Sequence, residues 1–180
     1  MIVGADEFRA RFPQLAHAST EEVSALINAL VLRPVSAGDV LVHDGTAANT
    51  LYFLWEGRMV AFVEEENVSI ELGHIEPGAT IGEVAVLDPG PATATVKAEV
   101  DSTVLALSPD GLSSLDRSHP AMCSKLLRML SQLLVERLSE ADELLLRHRH
   151  GPGEEAGAGG RREWPMKVYR KLFGHRKSAA

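Results

Sequence analysis

From Leu32 to Ser108 the chain is a succession of short β-rich runs cut by turn chemistry, and nothing else in the sequence constrains its fold as strongly. The runs "DVLVHDG", "TLYFLWEG", "RMVAFVEEEN", "VSIELGHIEPG" and "ATVKAEVDSTVLALS" follow one another. Gly38, the Asp44-Gly45 pair, Gly57, the acidic Glu64–Asn67 turn and the Pro77-Gly78 pair lie between them. Strands this short with turns this frequent predict an antiparallel sandwich or barrel. One stretch breaks the rhythm: in "IGEVAVLDPGPATATVKA", Ile81 to Ala98, residues 82–87 read as a single helical turn inside an otherwise all-β segment.

Helical patterns flank this region. In "ASTEEVSALINAL", Ser19 or Thr20 is the expected N-cap, with Glu21 and Glu22 in the first turn and Val23, Leu26, Ile27 and Leu30 along one face. After Pro109 the helical signal returns, with a start at Ser118 or His119 ahead of Pro120 and no glycine or proline until about His148. Leu127, Leu130, Leu134, Leu138, Ala141 and Leu145 form one apolar stripe, and Met122, Leu126, Met129 and Leu133 a second. Two stripes need two covers. One is expected on the β-domain and the other on a second copy of the helix, or both merge into one wide face buried in the same domain. "GPGEEAGAGG", residues 151–160, is linker chemistry, and residues 161–180 follow it. The expected organisation is therefore 1–31 helical, 32–109 β-rich with the special loop at 81–98, 110–150 helical, 151–160 linker and 161–180 tail.

The formal charge of -7 hides a division. Residues 161–180 carry seven Lys/Arg against one Glu, whereas residues 1–160 carry eleven against twenty-four Asp/Glu. An acidic body argues against nucleic acid as its partner, because duplex affinity rests on neutralising phosphates with clustered Lys and Arg. In the tail, Arg161, Arg162, Lys167, Arg170 and Lys171 interleave with Trp164, Tyr169 and Phe173. This pattern suits docking on an acidic surface, in a protein partner or in the chain's own body, ahead of RNA or anionic lipid.

The lone Cys123 excludes an internal disulfide, and "MIVGADEFRARF" lacks the apolar run of a signal peptide. No window approaches the roughly 18 apolar residues of a spanning helix. A cytoplasmic protein is expected. No GxSxG or comparable frame organises the Ser, His and Asp residues. His148 and His150 lie two apart and diverge on a helix, so no metal site is expected there. The chain is read as non-enzymatic.

A helix, a glycine-punctuated β-domain broken by one helical turn, and a long terminal helix together resemble the cyclic nucleotide-binding domain, the sensor module of catabolite activator protein-like regulators, cyclic-nucleotide-dependent kinases and gated channels. The resemblance runs from about Phe12 to about Leu145 and is carried by Gly38, Gly45, Tyr52 and Gly57 and by "EPGATIGEVAVL". It implies an antiparallel β-roll of the double-stranded β-helix or jelly-roll type, and a phosphate-binding cassette at 81–98.

In the family's cassette a Gly-Glu pair leads through an apolar turn to Arg-Ala-Ala/Ser-Thr-Val-x-Ala. The glutamate accepts from the ribose 2′-hydroxyl and the arginine pairs with the cyclic phosphate. Gly82 and Glu83 match, as does Thr93 to Ala98, but Ala92 stands at the arginine's place. The resemblance thus assigns the ligand side to Gly82, Glu83, Val84, Ala85, Ala92, Thr93 and Thr95, with backbone amides and two hydroxyls replacing the guanidinium. Glu83 is open to two readings, a retained ribose contact or a carboxylate that holds its own turn. No cofactor is required, and cAMP or cGMP is expected to bind weakly or not at all. No helix-turn-helix follows the long helix, so no DNA-reading domain is expected.

Overall fold

The computed structural model describes residues 3–65 and 68–149. The chain divides into two compact units, Met1–Ser131 and Gln132–Ala180. Linker residues 151–160, His150 and every tail residue from Arg161 to Phe173 lie outside the described residues.

The first unit opens with α1 (Ala5–Arg11), a 3-10 turn at Pro13–Leu15 and α2 (Thr20–Ala29). Ser19 is the N-cap of α2. Its hydroxyl accepts from the Glu22 N–H while the Glu22 carboxylate accepts from the Ser19 N–H, a reciprocal capping box. Ten strands and a helical turn follow: β1 (Val31–Val35), β2 (Val40–Val42), β3 (Ala47–Ala48), β4 (Leu51–Glu56), β5 (Met59–Glu65), β6 (Val68–Ile75), β7 (Thr80–Ile81), α3 (Glu83–Leu87), β8 (Gly90–Pro91), β9 (Thr95–Ala98) and β10 (Ser102–Leu107). Helices α4 (Pro109–Ser118) and α5 (Pro120–Arg149) end the described chain. The expected antiparallel β-roll with flanking helices is what forms.

Two four-stranded antiparallel sheets, ordered β1-β10-β4-β7 and β2-β9-β5-β6, make the roll, and β3 pairs with β8. Period-two alternation builds two cores from them. Val35, Leu41, Leu54, Met59, Ile81, Val96, Ala98 and Val104 turn into the roll and form one buried cluster. Phe53 and Trp55, on the other face of β4, meet Phe8 and Phe12 with ring centroids 5.1–6.4 Å apart, and Phe8 lies 4.7 Å from Phe12. Arg11 lies over the Trp55 ring and donates to the Trp55 carbonyl, so this helix is fastened through one indole.

Several boundaries differ from the sequence expectation. β1 begins at Val31, one residue earlier than the expected β-region. The run "ATVKAEVDSTVLALS" is two strands, because Glu99–Asp101 turns the chain: the Glu99 N–H reaches the Arg58 carbonyl and the Asp101 carboxylate accepts from the Ala37 N–H. α4 is a separate helix capped by the Ser108 hydroxyl, and it sits so near α2 that a Cβ on Gly111 would lie 2.9 Å from the Ala29 carbonyl oxygen. Met122, Cys123, Leu126, Met129 and Leu130 of α5 are buried within the first unit. The Met122/Leu126/Met129 stripe is therefore consumed in its own domain. Lys125 donates to both oxygens of Glu22 at 2.8 and 2.6 Å, joining α5 to the cap of α2.

Among the described residues, the second unit holds the continuation of α5, in which Leu133, Leu134 and Leu138 are half-buried and Val135 is exposed. No helix of the described residues is long and apolar enough to cross a membrane.

Candidate functional site

The loop between β7 and β9 is built around Gly82. Its φ of +91° is left-handed, and a Cβ there would lie 2.4 Å from the Thr50 carbonyl oxygen, so conformation and space both demand glycine. Gly82 turns the chain out of β7 and makes Glu83 the first residue of α3, a single helical turn closed by the Asp88 N–H on the Val84 carbonyl at 2.8 Å.

That geometry buries Glu83, which is 3% exposed beside Thr80 at 4%. The Thr80 hydroxyl donates to Glu83 Oε1 at 2.5 Å, at the short end of O–H···O bonds. Ala85 is buried and Val84 half-buried. The N–H groups of Glu83, Val84 and Ala85 have no carbonyl four residues back within the helix, as in any first turn.

The far side of the loop is held by its neighbour. β8 pairs with β3 through Ala48–Gly90 and Ala47–Pro91. The Ala92 N–H donates to the Thr46 carbonyl at 2.7 Å and the Ala92 carbonyl accepts from the Gly45 N–H at 2.9 Å. The expectation that the Ala92 amide stands ready for an anion is therefore corrected: it is committed to Thr46, because the 45–48 segment runs antiparallel beside it. Thr93 is half-buried between β8 and β9. The Thr95 hydroxyl accepts from the Asp44 N–H at 3.1 Å. Alternation along β9 puts Thr95 and Lys97 on one face and the buried Val96 and Ala98 on the other, so exposed Lys97 faces away from the roll core.

The residues assigned from sequence thus fall into two groups joined by the cassette loop: Gly82, Glu83, Val84 and Ala85 on α3 and its entry, and Ala92, Thr93 and Thr95 on the strand held by residues 44–48. Thr80 was missed. The spacing Thr-x-x-Glu from Thr80 to Glu83 resembles a capping box, but the N-cap of α3 is Gly82 and the Thr80 hydroxyl meets the Glu83 carboxylate itself, so no local pattern signalled this contact.

Outside the loop, burial raises the Cys123 thiol above its usual range and the Asp116 carboxylate beside it adds to the effect. Such a thiol stays protonated and is a poor nucleophile. Among the described residues no group of three His, Cys, Asp or Glu side chains is placed to hold a metal ion.

A β-roll interrupted by a glycine-led helical turn with a buried glutamate, and closed by C-terminal helices, defines the fold class: an antiparallel β-roll with flanking helices. Residues 32–119 match the family model described as cyclic nucleotide-binding domain. The chain is similar to Glutaminase 2 of Bradyrhizobium diazoefficiens, 30% identical over 128 residues that make up 71% of this chain and 20% of the relative. It is also similar to potassium/sodium hyperpolarization-activated cyclic nucleotide-gated channel 3 of Rattus norvegicus, 24% identical over 84% of this chain and 19% of the channel. The chain thus spans about a fifth of the length of these relatives. In fold it is similar to a cyclic nucleotide-binding domain from Methylobacillus flagellatus, with a TM-score of 0.70, 24% identity, and coverage of 84% of this chain and 88% of that one.

Proposed function

We propose that the chain is a non-enzymatic regulatory module whose cassette is degenerate, binding cAMP or cGMP feebly and passing the state of the loop to the C-terminal helix. The observation that carries this reading is Ala92. It occupies the place where the family's cassette carries its phosphate-pairing arginine, and its side chain is a methyl group. A cyclic phosphate entering the loop gives up hydration that a guanidinium returns through charge-assisted bonds worth roughly 1.5–3 kcal/mol each. Losing about 3 kcal/mol weakens binding more than a hundredfold. Lys97, the sole Lys or Arg between 81 and 98, is an exposed side chain five residues beyond Ala92, not at the arginine's place.

The relatives carry this kind of segment within longer chains of different activity, a glutaminase and a cyclic nucleotide-gated channel by name. That diversity suits a module that regulates rather than catalyses. A homodimer through the 120–146 helix is part of the proposal. With Met122, Leu126 and Met129 buried in their own unit, the contact falls on the segment from Gln132 onward, where Val135 is exposed. The basic tail from Arg161 to Phe173 is proposed to engage an acidic protein surface.

A second reading, a ligand-free dimeric interaction scaffold, is favoured by one observation: Glu83 and Ala92 are already bonded within the protein, to Thr80 and to the 45–46 backbone. Calorimetric titration of the whole chain with cAMP and cGMP separates the two. Weak saturable heat supports the sensor, and no heat and no thermal shift at millimolar nucleotide supports the scaffold. Tight binding of either nucleotide defeats the degenerate cassette itself.

A further inference from the structure

We infer that Thr80 is a positioning residue for the cassette carboxylate, and that it sets how well this loop distinguishes an anionic ligand carrying a hydroxyl beside its phosphate from one lacking it. The inference rests on the cassette reading above and deepens it by naming what holds Glu83.

The geometry leaves Thr80 little freedom. Its backbone is fixed by pairing with Phe53, and Ile81 after it is paired with Tyr52 and buried in the roll core. Gly82 is fixed in turn by its close approach to the Thr50 carbonyl. A β-branched side chain on such a backbone has few rotamers, so its hydroxyl is aimed rather than mobile. It meets Glu83 Oε1 at 2.5 Å with both residues almost wholly buried.

A carboxylate on a flexible side chain presents its oxygens over a range of positions, and ordering it on binding costs rotamer entropy. Here that ordering is done before any ligand arrives. A hydroxyl donor on the ligand meets an acceptor already in place. A ligand without the hydroxyl gains nothing from it. Selectivity for the hydroxyl therefore depends on Thr80, although Thr80 itself touches no ligand in this scheme.

The test uses the full chain with Ala92→Arg, which supplies the missing cation, and compares it with A92R/T80V and A92R/T80S by calorimetry against cAMP and 2′-deoxy-cAMP. The Ala92→Arg protein is expected to prefer cAMP, Thr80→Val to cut that preference by roughly threefold to tenfold, and Thr80→Ser to restore it. A preference absent in the Ala92→Arg protein, or unchanged by Thr80→Val, overturns the inference. If the Ala92→Arg protein binds neither nucleotide, the cassette reading fails, and a ligand-free measurement still decides the role of Thr80. Hydrogen exchange of the Asp88 amide, which closes α3, is expected to quicken in Thr80→Val and to stay at the wild-type rate in Thr80→Ser. Equal rates in all three proteins overturn the positioning role.

Discussion

At Gly82 a left-handed backbone and a carbonyl oxygen at 2.4 Å from the would-be Cβ act together, whereas at Gly45 the φ of +75° stands alone with open space around it. The contrast separates two costs. Gly45→Ala is expected to lose about 1–2 kcal/mol, the cost of the left-handed conformation, and Gly82→Ala about 2–5 kcal/mol, since the clash with Thr50 adds to it. Thermal denaturation of the two variants checks this, and equal losses would contradict it. At this scale the sequence was informative where backbone chemistry decides. The turn at Gly82 was readable from the Gly-Glu pair and the apolar residues after it, whereas the burial of Glu83 was not. The commitment of the Ala92 amide to Thr46 was not, because it depends on which distant segment lies beside β8, and no local pattern around Ala92 encodes that partner.

Among the elements, α2 couples a local signal to a tertiary one. Ser19-x-x-Glu22 announces the capping box, and Ser19→Ala is expected to cost about 1 kcal/mol in a thermal or chemical denaturation. What the sequence did not show is that Glu22 also receives Lys125 from α5, more than a hundred residues away. The Lys125 ammonium, followed by the Ser19 N–H, holds the Glu22 carboxyl below the usual carboxylate range. A carboxyl depressed in the folded state stabilises the fold above its unfolded pKa, and that contribution is lost as pH falls through the depressed value. Acid titration of the thermal midpoint is therefore expected to fall more steeply below about pH 4.5 for the wild type than for Lys125→Met. Parallel curves would contradict the coupling.

The strands show the same limit in another form. β4 and β5 were readable because each is a single apolar-rich run between turns. The separation of β9 from β10 was not, because the turn at Glu99–Asp101 lacks glycine and proline and is held by Arg58 and Ala37 from elsewhere in the chain. In α5 the two apolar stripes were plain in the sequence, yet only the packed domain decides how they are used: Met122, Leu126 and Met129 of one and Leu130 of the other go to the body.

For the whole molecule, the proposed dimer now rests on the part of α5 beyond Ser131. Sedimentation of the full chain is expected to give a dimer and Leu138→Glu a folded monomer, whereas Leu126→Glu, at a fully buried position, is expected to unfold the first unit. A monomeric wild type would contradict the proposal. A chain ending at Arg149 tests the tail in the same way: it is expected to keep the dimer and lose the protein partner. Retention of the partner would place docking elsewhere.

The account turns on the phosphate having no cation to meet at Ala92, and equilibrium binding of cAMP to the wild-type chain beside Ala92→Arg measures this directly. The account predicts feeble or undetectable binding in the wild type and a gain of roughly tenfold to a hundredfold or more on introducing the guanidinium. Tight binding by the wild type that Ala92→Arg leaves unchanged would contradict it.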